Sequence, residues 1–157
     1  MWYSSIAKSY DELYGEEQLK KAKVILENFK INPENLLLDV GSGTGISTKL
    51  FKCRKIGLDP EFELLKQADF PVVCGVAEAL PFKEKKFDVV ISLTAIHNFK
   101  EFNLALKEIK QASKTIFIAS ILKKSASKSK IITSISKLFE IKKKIDEEKD
   151  IIVFASF

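Results

Sequence analysis

The chain has 157 residues, of which 46% are hydrophobic and 30% charged, and its formal net charge is +5. This length suits one domain, and the hydrophobic content is too high for a disordered protein. No apolar run approaches the roughly 20 residues that a membrane-spanning helix needs. Because Met1–Ile6 lacks the basic segment and apolar core of a signal peptide, we expect a cytoplasmic protein without membrane contact.

Cysteine and histidine are too few for a metal centre. Cys53 and Cys74 form no C-x-x-C pair and no disulfide framework. His97 is the only histidine, which does not favour a Cys/His zinc site. We therefore expect no bound metal.

The basic charge is concentrated in the C-terminal third. Residues 1–98 carry 13 basic and 14 acidic side chains, whereas residues 99–157 carry 13 basic and 7 acidic ones. Such a basic region favours a polyanion such as RNA. Arg54 is the only arginine, so the planar group suited to bidentate phosphate contacts is almost absent, and lysine enrichment serves solubility equally well.

Helix-like and strand-like segments alternate along the chain, with apolar residues at helical spacing from Leu19 to Phe29. The predicted strands are Leu36–Val40, Lys55–Asp59, Phe70–Val76, Phe87–Leu93, Thr115–Ser120, Glu140–Ile145 and Ile151–Phe157. The later predicted helices are Ile46–Lys52, Glu61–Ala68, Phe99–Ala112 and 125–138. This order predicts a single α/β domain over residues 1–157, with cap helices in 1–30, a mostly parallel sheet in 36–157 and a closing hairpin.

The segment Asp39–Gly45, which reads DVGSGTG, is the most informative in the chain. It joins a predicted buried strand to a predicted helix, where glycines let the backbone approach a ligand and leave helix N–H groups available. Asp59 ends the next strand, where a carboxylate accepts hydrogen bonds from both hydroxyls of a ribose. A dinucleotide site has the spacing G-x-G-x-x-G and a small residue in place of Ile46, whereas the spacing here is G-x-G-x-G.

This first motif, LLDVGSGTG, resembles that of class I methyltransferases, which take a methyl group from S-adenosylmethionine (SAM) and release S-adenosylhomocysteine (SAH). The resemblance implies a doubly wound, Rossmann-like α/β fold with seven strands in the order 3-2-1-4-5-7-6, the last one antiparallel. It also implies that Asp59, in IGLDP, binds the ribose. The resemblance assigns five further residues to cofactor binding, namely Asp39, Gly41, Ser42, Gly43 and Gly45.

Gly75–Phe82, which reads GVAEALPF, resembles the GDAExLPF segment that lies along the adenine ring in this family. The family often has an acid at the position of Val76, which accepts a hydrogen bond from the adenine amino group. Valine cannot do so, and one lost hydrogen bond weakens binding by about 1 kcal/mol. Adenine contact then falls to Pro60, Ala77, Glu78 and Leu93. For Glu78 the alternative is a solvated loop acid.

Ala95–Phe99, which reads AIHNF, resembles loops of methyltransferases that act on small molecules or that esterify a modified wobble uridine in tRNA. Ser92–Ala95 does not match the Asn/Asp-Pro-Pro-Tyr/Phe box of enzymes that methylate amide or base nitrogens. His97 follows a strand at the edge where open α/β sheets bind ligands, so it is a candidate to orient the acceptor or take its proton. Alternatively, it only caps the following helix, because methyl transfer often needs positioning alone.

Tyr10–Tyr14, which reads YDELY, resembles the YDxxY stretch that folds over SAM in many relatives. The resemblance implies that Tyr10 contacts the cofactor and that Tyr14 closes the pocket or touches the acceptor. The alternative is aromatic packing near the N-terminus.

In the implied strand order, the third strand lies at an edge and is apolar on both faces. Such an edge promotes association unless it is covered. We expect a second copy of the chain or a small activating subunit to pair with it by strand addition. Some tRNA and translation-factor methyltransferases use a small zinc-binding subunit in this way.

The methyl acceptor is not determined by these motifs. RNA or a component of the translation machinery is our first hypothesis, because of the basic C-terminal third and a core without a substrate domain. A small-molecule acceptor is the alternative. A SAM-binding subunit without catalysis is the alternative of another class.

Overall fold

Residues 9–157 are described by a computed structural model. Seven strands form one sheet in the order β3-β2-β1-β4-β5-β7-β6. The strands are β1 (Leu36–Val40), β2 (Arg54–Asp59), β3 (Val72–Cys74), β4 (Phe87–Leu93), β5 (Ser113–Leu122), β6 (Glu140–Asp146) and β7 (Asp150–Ser156). The α-helices are α1 (Tyr10–Asn28), α2 (Phe62–Leu65), α3 (Phe102–Ala112) and α4 (Lys128–Leu138). Strands β1 to β5 pair in parallel and β7 is antiparallel to its two neighbours, which confirms the predicted fold class and strand order.

The two faces of the sheet are covered by separate apolar layers. Leu38 of β1 joins a core cluster with Leu106 of α3 and Ile131 of α4, all fully buried. Leu37, one residue earlier, points to the opposite face and packs in a second cluster with Ile25 of α1. Full burial of one such side chain contributes about 2 kcal/mol. The central strands are thus fixed from both sides, and their carboxyl ends form a stable edge.

The segments after β1 and β2 are less helical than the sequence predicts. Of the predicted helix Ile46–Lys52, only a 3₁₀ turn over Thr48–Leu50 forms, and of the predicted helix Glu61–Ala68, only Phe62–Leu65 is α-helical. The Thr48 hydroxyl donates to buried Asp39, and Phe51 is fully buried, so the chain enters the core before a second turn can form. Within residues 9–157, no helix has both the length and the apolar composition to cross a membrane.

Candidate functional site

A pocket of about 280 Å³ opens at the carboxyl edge of the sheet. Its walls come from the ends of β1, β2 and β4 and from the segment after β3, which is where open α/β sheets bind ligands. Most of the lining is apolar, with a few polar groups that can orient a ligand. The predicted cofactor residues that line it are Gly41, Gly43, Asp59, Pro60, Ala77, Glu78 and Leu93.

The glycine turn has a backbone that side chains rarely tolerate. Gly41, Gly43 and Gly45 have φ values of +84°, +55° and +78°. A Cβ on Gly41 would lie 2.5 Å from the Cβ of Ala95, so the turn packs directly against the segment after β4. The motif therefore encodes both the conformation of the turn and its close approach to the pocket wall.

Asp59 ends β2 with both carboxylate oxygens anchored. Its Oδ2 accepts a hydrogen bond from the Gly43 N–H at 2.9 Å, and its Oδ1 accepts one from the Glu61 N–H at 2.8 Å. Burial raises the pKa of Asp59, against the effect of these two N–H groups. Each oxygen has further lone pairs, and the side chain lines the pocket, so Asp59 can accept the two hydroxyls of a ribose.

Asp39 lies beneath the turn, is 2% exposed and does not line the pocket. Its Oδ2 accepts a hydrogen bond from the Thr48 hydroxyl at 2.6 Å. Its Oδ1 is buried and has no hydrogen-bond partner within residues 9–157. A buried acceptor of this kind requires an N–H from a ligand or an ordered water. The residues therefore leave one acceptor beneath the turn for such a donor.

Ser42 and Gly45 support the turn rather than line the pocket. The Ser42 N–H donates to the carbonyl of Leu58 at 3.1 Å, which ties the turn to β2. A Cβ on Gly45 would lie 2.5 Å from the ring of Phe70, so this glycine provides room for an aromatic side chain. Glu78 does line the pocket, and its Oε1 accepts the Glu101 N–H at 3.0 Å, which ties the pocket wall to the start of α3.

Of the predicted acceptor-side residues, His97 and Tyr14 do not line the pocket. His97 belongs to a 3₁₀ turn, Ile96–Asn98, and is half-buried beside the pocket residue Asn98. Burial lowers the pKa of His97 below its ordinary value, which favours the neutral ring. Tyr14 is half-buried on α1, and the side chain of Tyr10 lies outside the described part of the chain.

Four residues that the sequence analysis did not select form a buried polar cluster beside the pocket, which we call the Lys21 cluster (Lys21, Thr94, Ser120 and Asp150). Lys21 Nζ lies 3.2 Å from Asp150 Oδ2. Thr94 Oγ1 accepts from Lys21 Nζ at 2.6 Å and donates to Asp150 Oδ2 at 2.8 Å. The sequence contains one sign of this cluster. Lys21 is a charged residue one turn before Ile25, on the apolar face of a predicted helix, where a charge needs a buried partner.

A pH effect on stability is expected from Asp39. Burial raises the pKa of this carboxyl from 3.8 to about 7. The folded protein therefore holds a proton that the unfolded chain releases, and stability falls as the pH rises between these values and is level above them. We expect Asp39→Asn, measured by thermal unfolding at pH 5 and pH 8, to remove this part of the pH dependence.

The matched control is Asp69→Asn, because Asp69 is exposed. It should retain the pH dependence of the wild-type protein. An unfolding temperature that changes with pH equally in Asp39→Asn and in the wild type would contradict the assignment to Asp39.

The fold and the pocket together define a class of protein, an open α/β domain with a glycine turn after β1 and an acid at the end of β2 that both line a pocket at the carboxyl edge of the sheet. The family described as "Methyltransferase domain" matches residues 38–115, which include both elements. The chain belongs to the class I SAM-dependent methyltransferases, and this membership implies SAM as the cofactor.

Similar proteins include an uncharacterised protein of Methanocaldococcus jannaschii, 35% identical over 126 residues that cover 76% of this chain and 50% of the relative. A demethylmenaquinone methyltransferase of Thermotoga maritima is 28% identical and covers 71% of this chain and 55% of that protein. The chain thus spans about half the length of these relatives.

A solved Haloferax volcanii methyltransferase, in complex with the methyltransferase activator Trm112, superposes with a TM-score of 0.85. The alignment covers 98% of this chain and 96% of that one at 15% sequence identity. At this identity, the likeness shows a shared fold over almost the whole chain.

Proposed function

We propose that the chain is a methyltransferase that binds SAM at the carboxyl edge of the sheet and methylates RNA or a component of the translation machinery. The observation that carries the cofactor part is Asp59, a buried carboxylate that lines the pocket and is anchored to Gly43 and Glu61. Each carboxylate oxygen accepts one of these two N–H groups, so lone pairs remain to accept the two hydroxyls of a ribose.

Cofactor placement follows from this anchor. With the ribose on Asp59, the adenine ring lies beyond β2, against Pro60, Leu64 and Val76. The amino-acid part then lies over Gly41, above the buried Asp39. SAM supplies a methyl group on a positively charged sulfur. The chain contributes position and an apolar wall that excludes water, which are the main requirements for this transfer.

The acceptor proposal is supported by basic residues at the same edge of the sheet. Lys100 lines the pocket, and Lys124 and Lys128 lie on the segment that follows the carboxyl end of β5. A phosphate backbone is attracted by such a surface in a salt-dependent manner. A small-molecule acceptor is the second candidate, because the chain resembles a demethylmenaquinone methyltransferase.

The test uses protein purified from its native cells together with its partners. We expect labelled methyl groups from SAM to enter the RNA or protein fraction, with acceptor binding that weakens steeply with salt. Label in the small-molecule fraction alone would favour the second candidate. SAM binding without transfer to any fraction would favour a non-catalytic subunit.

We also propose that a small activating subunit pairs with β3. This strand is at the edge of the sheet, and residues 71 and 75 direct backbone groups toward β2. Backbone direction alternates along a strand, so Val72 and Cys74 present their N–H and C=O groups to the open edge. Phe62 of the adjacent α2 is 60% exposed and Val76 is 46% exposed, which adds apolar surface. The similar Haloferax volcanii fold was solved with an activator.

Strand addition is tested by removing one outward N–H group. We expect Cys74→Pro to abolish partner capture, because proline has no N–H and Cys74 is not needed for the bonds to β2. Cys74→Ala is the matched control, since it removes the thiol and keeps the N–H. Co-purification from native cells measures the effect. Equal capture by both variants, or a monodisperse monomer without apolar dye binding, would contradict the proposal.

A further inference from the structure

Thr94 connects the Lys21 cluster to the cofactor pocket. It follows β4 and lines the pocket, and its φ is +53°, a strained conformation for a β-branched residue. Its N–H donates to Ser120 O at 3.1 Å and Ser120 Oγ at 2.8 Å. The cluster therefore holds a strained backbone at the pocket wall, and strain of this kind is concentrated at functional sites.

The ion pair in the cluster is poorly explained by stability alone. Lys21 is 5% exposed and Asp150 is fully buried. Removing two charges from water costs about as much as their attraction returns, and apolar residues of similar size are often as stable. Stability alone therefore does not account for charged residues at these two positions.

Two buried polar atoms beside the cluster lack partners within residues 9–157. They are Nδ1 of His97 and Oδ1 of Asp150. His97 lies three residues after Thr94, in the 3₁₀ turn that follows β4, and the charges of Asp150 and Lys21 both affect its pKa. Buried polar atoms usually have a hydrogen-bond partner, so these two atoms are available to accept an O–H or N–H group of a ligand in the neighbouring pocket.

With its ribose on Asp59, SAM would direct its methyl-bearing sulfur toward Thr94 and the Lys21 cluster. Ribose binding at Asp59 places the nucleoside over β2 and the segment after β3. In the sheet order β3-β2-β1-β4, the other end of the pocket lies at β4, where Thr94 stands. An acceptor that meets the methyl group therefore approaches beside the Lys21 cluster and His97.

We propose that His97 and the Lys21 cluster form the acceptor side of the site, built for an acceptor whose nucleophilic atom carries a proton, a hydroxyl or an N–H. The inference rests on the proposed function. As the acceptor atom bonds to the methyl carbon, the carbon–sulfur bond breaks, its electron pair stays on sulfur, and the acceptor proton passes to His97. Lys21 and Asp150 are positioning residues for Thr94, whose hydroxyl group bonds to both at the pocket wall.

Two charged side chains have opposite effects on the pKa of His97. Asp150 raises the pKa of the imidazole and Lys21 lowers it, while burial lowers it most. The neutral ring is the form that accepts a proton. Because His97 is the only histidine, its imidazole signal is directly identifiable by nuclear magnetic resonance.

The test uses the amine analogue of SAM, in which an ammonium-bearing carbon replaces the methylated sulfur and presents N–H groups on the acceptor side. Titration calorimetry compares this analogue with SAH, which has no such group. We expect the wild-type protein to bind the amine analogue at least about tenfold tighter than SAH, equal to about 1.4 kcal/mol. The His97 signal should shift with the analogue and not with SAH.

Two variants test the assignment and one serves as control. His97→Leu should bind both ligands equally, and the charge-neutral double variant Lys21→Met/Asp150→Asn should lose most of the preference for the amine analogue. Lys20→Met should behave as the wild type, because Lys20 pairs with exposed Glu148 on the outer side of α1. If the wild type, both test variants and the control all preferred the amine analogue equally, the inference would be overturned and the proposed function would stand. Failure of the wild type to bind either ligand would overturn the proposed function, and the inference with it.

Discussion

Asp59→Ala is expected to lower SAH affinity by at least about 100-fold. The substitution removes a charged acceptor for two ribose hydroxyls, and hydrogen bonds to charged groups contribute about 1.5–3 kcal/mol each. It also releases the Gly43 N–H, which shapes the turn. Titration calorimetry of the purified variant measures the loss.

Asp59→Asn separates charge from shape. It keeps the size of the side chain but offers one acceptor oxygen, so we expect an intermediate loss of about tenfold, since one hydrogen bond contributes about that much. Asp69→Ala is the control, because Asp69 carries the same charge on the exposed surface. If Asp59→Ala bound SAH as tightly as Asp69→Ala does, Asp59 would not be the ribose acceptor.

Asp150→Asn is expected to destabilise the protein by about 3–5 kcal/mol, because it leaves the buried ammonium of Lys21 without a counter-charge. For a domain of this size, such a loss lowers the unfolding temperature by roughly 10 °C. Thermal unfolding at neutral pH, followed by circular dichroism, measures the shift.

The neighbouring lysine supplies the comparison. Lys20 forms an exposed pair with Glu148, and such pairs contribute little. Lys20→Met should therefore leave the unfolding temperature unchanged. The double variant Lys21→Met/Asp150→Asn should recover much of the loss, because no buried charge remains unpaired. An Asp150→Asn protein as stable as the wild type would contradict the buried ion pair.

The sequence predicts the parts of this molecule that depend on local chemistry. The glycines of Asp39–Gly45 need positive φ values, and Leu36–Val40 and Phe87–Leu93 are mostly apolar strands whose observed bounds equal the predicted ones. Asp59 is adjacent in space to Gly43 because consecutive parallel strands place their carboxyl ends side by side. These features depend on short motifs and on the pairing of neighbouring strands.

The Lys21 cluster depends on contacts between distant segments and was not predicted. Thr94 and Lys21 are separated by 73 residues, and Thr94 and Asp150 by 56. Apart from Lys21, whose charge lies on the apolar face of a predicted helix, no local pattern marks these partners, since each looks like an ordinary polar residue in its own segment. The short turn over Thr48–Leu50 was missed for the same reason, because Thr48 bonds to Asp39 on the preceding strand.

The most direct test of the central claim is calorimetric titration of the wild-type protein with SAM, SAH and the dinucleotide NAD. All three contain a ribose, but the spacing of the turn, with Ile46 after the third glycine, favours SAM over a dinucleotide. The account predicts micromolar binding of SAM and SAH, about −8 kcal/mol, and NAD binding at least about 100-fold weaker. Binding of NAD as tight as SAM, or no binding of SAM by the protein purified with its partners, would contradict it.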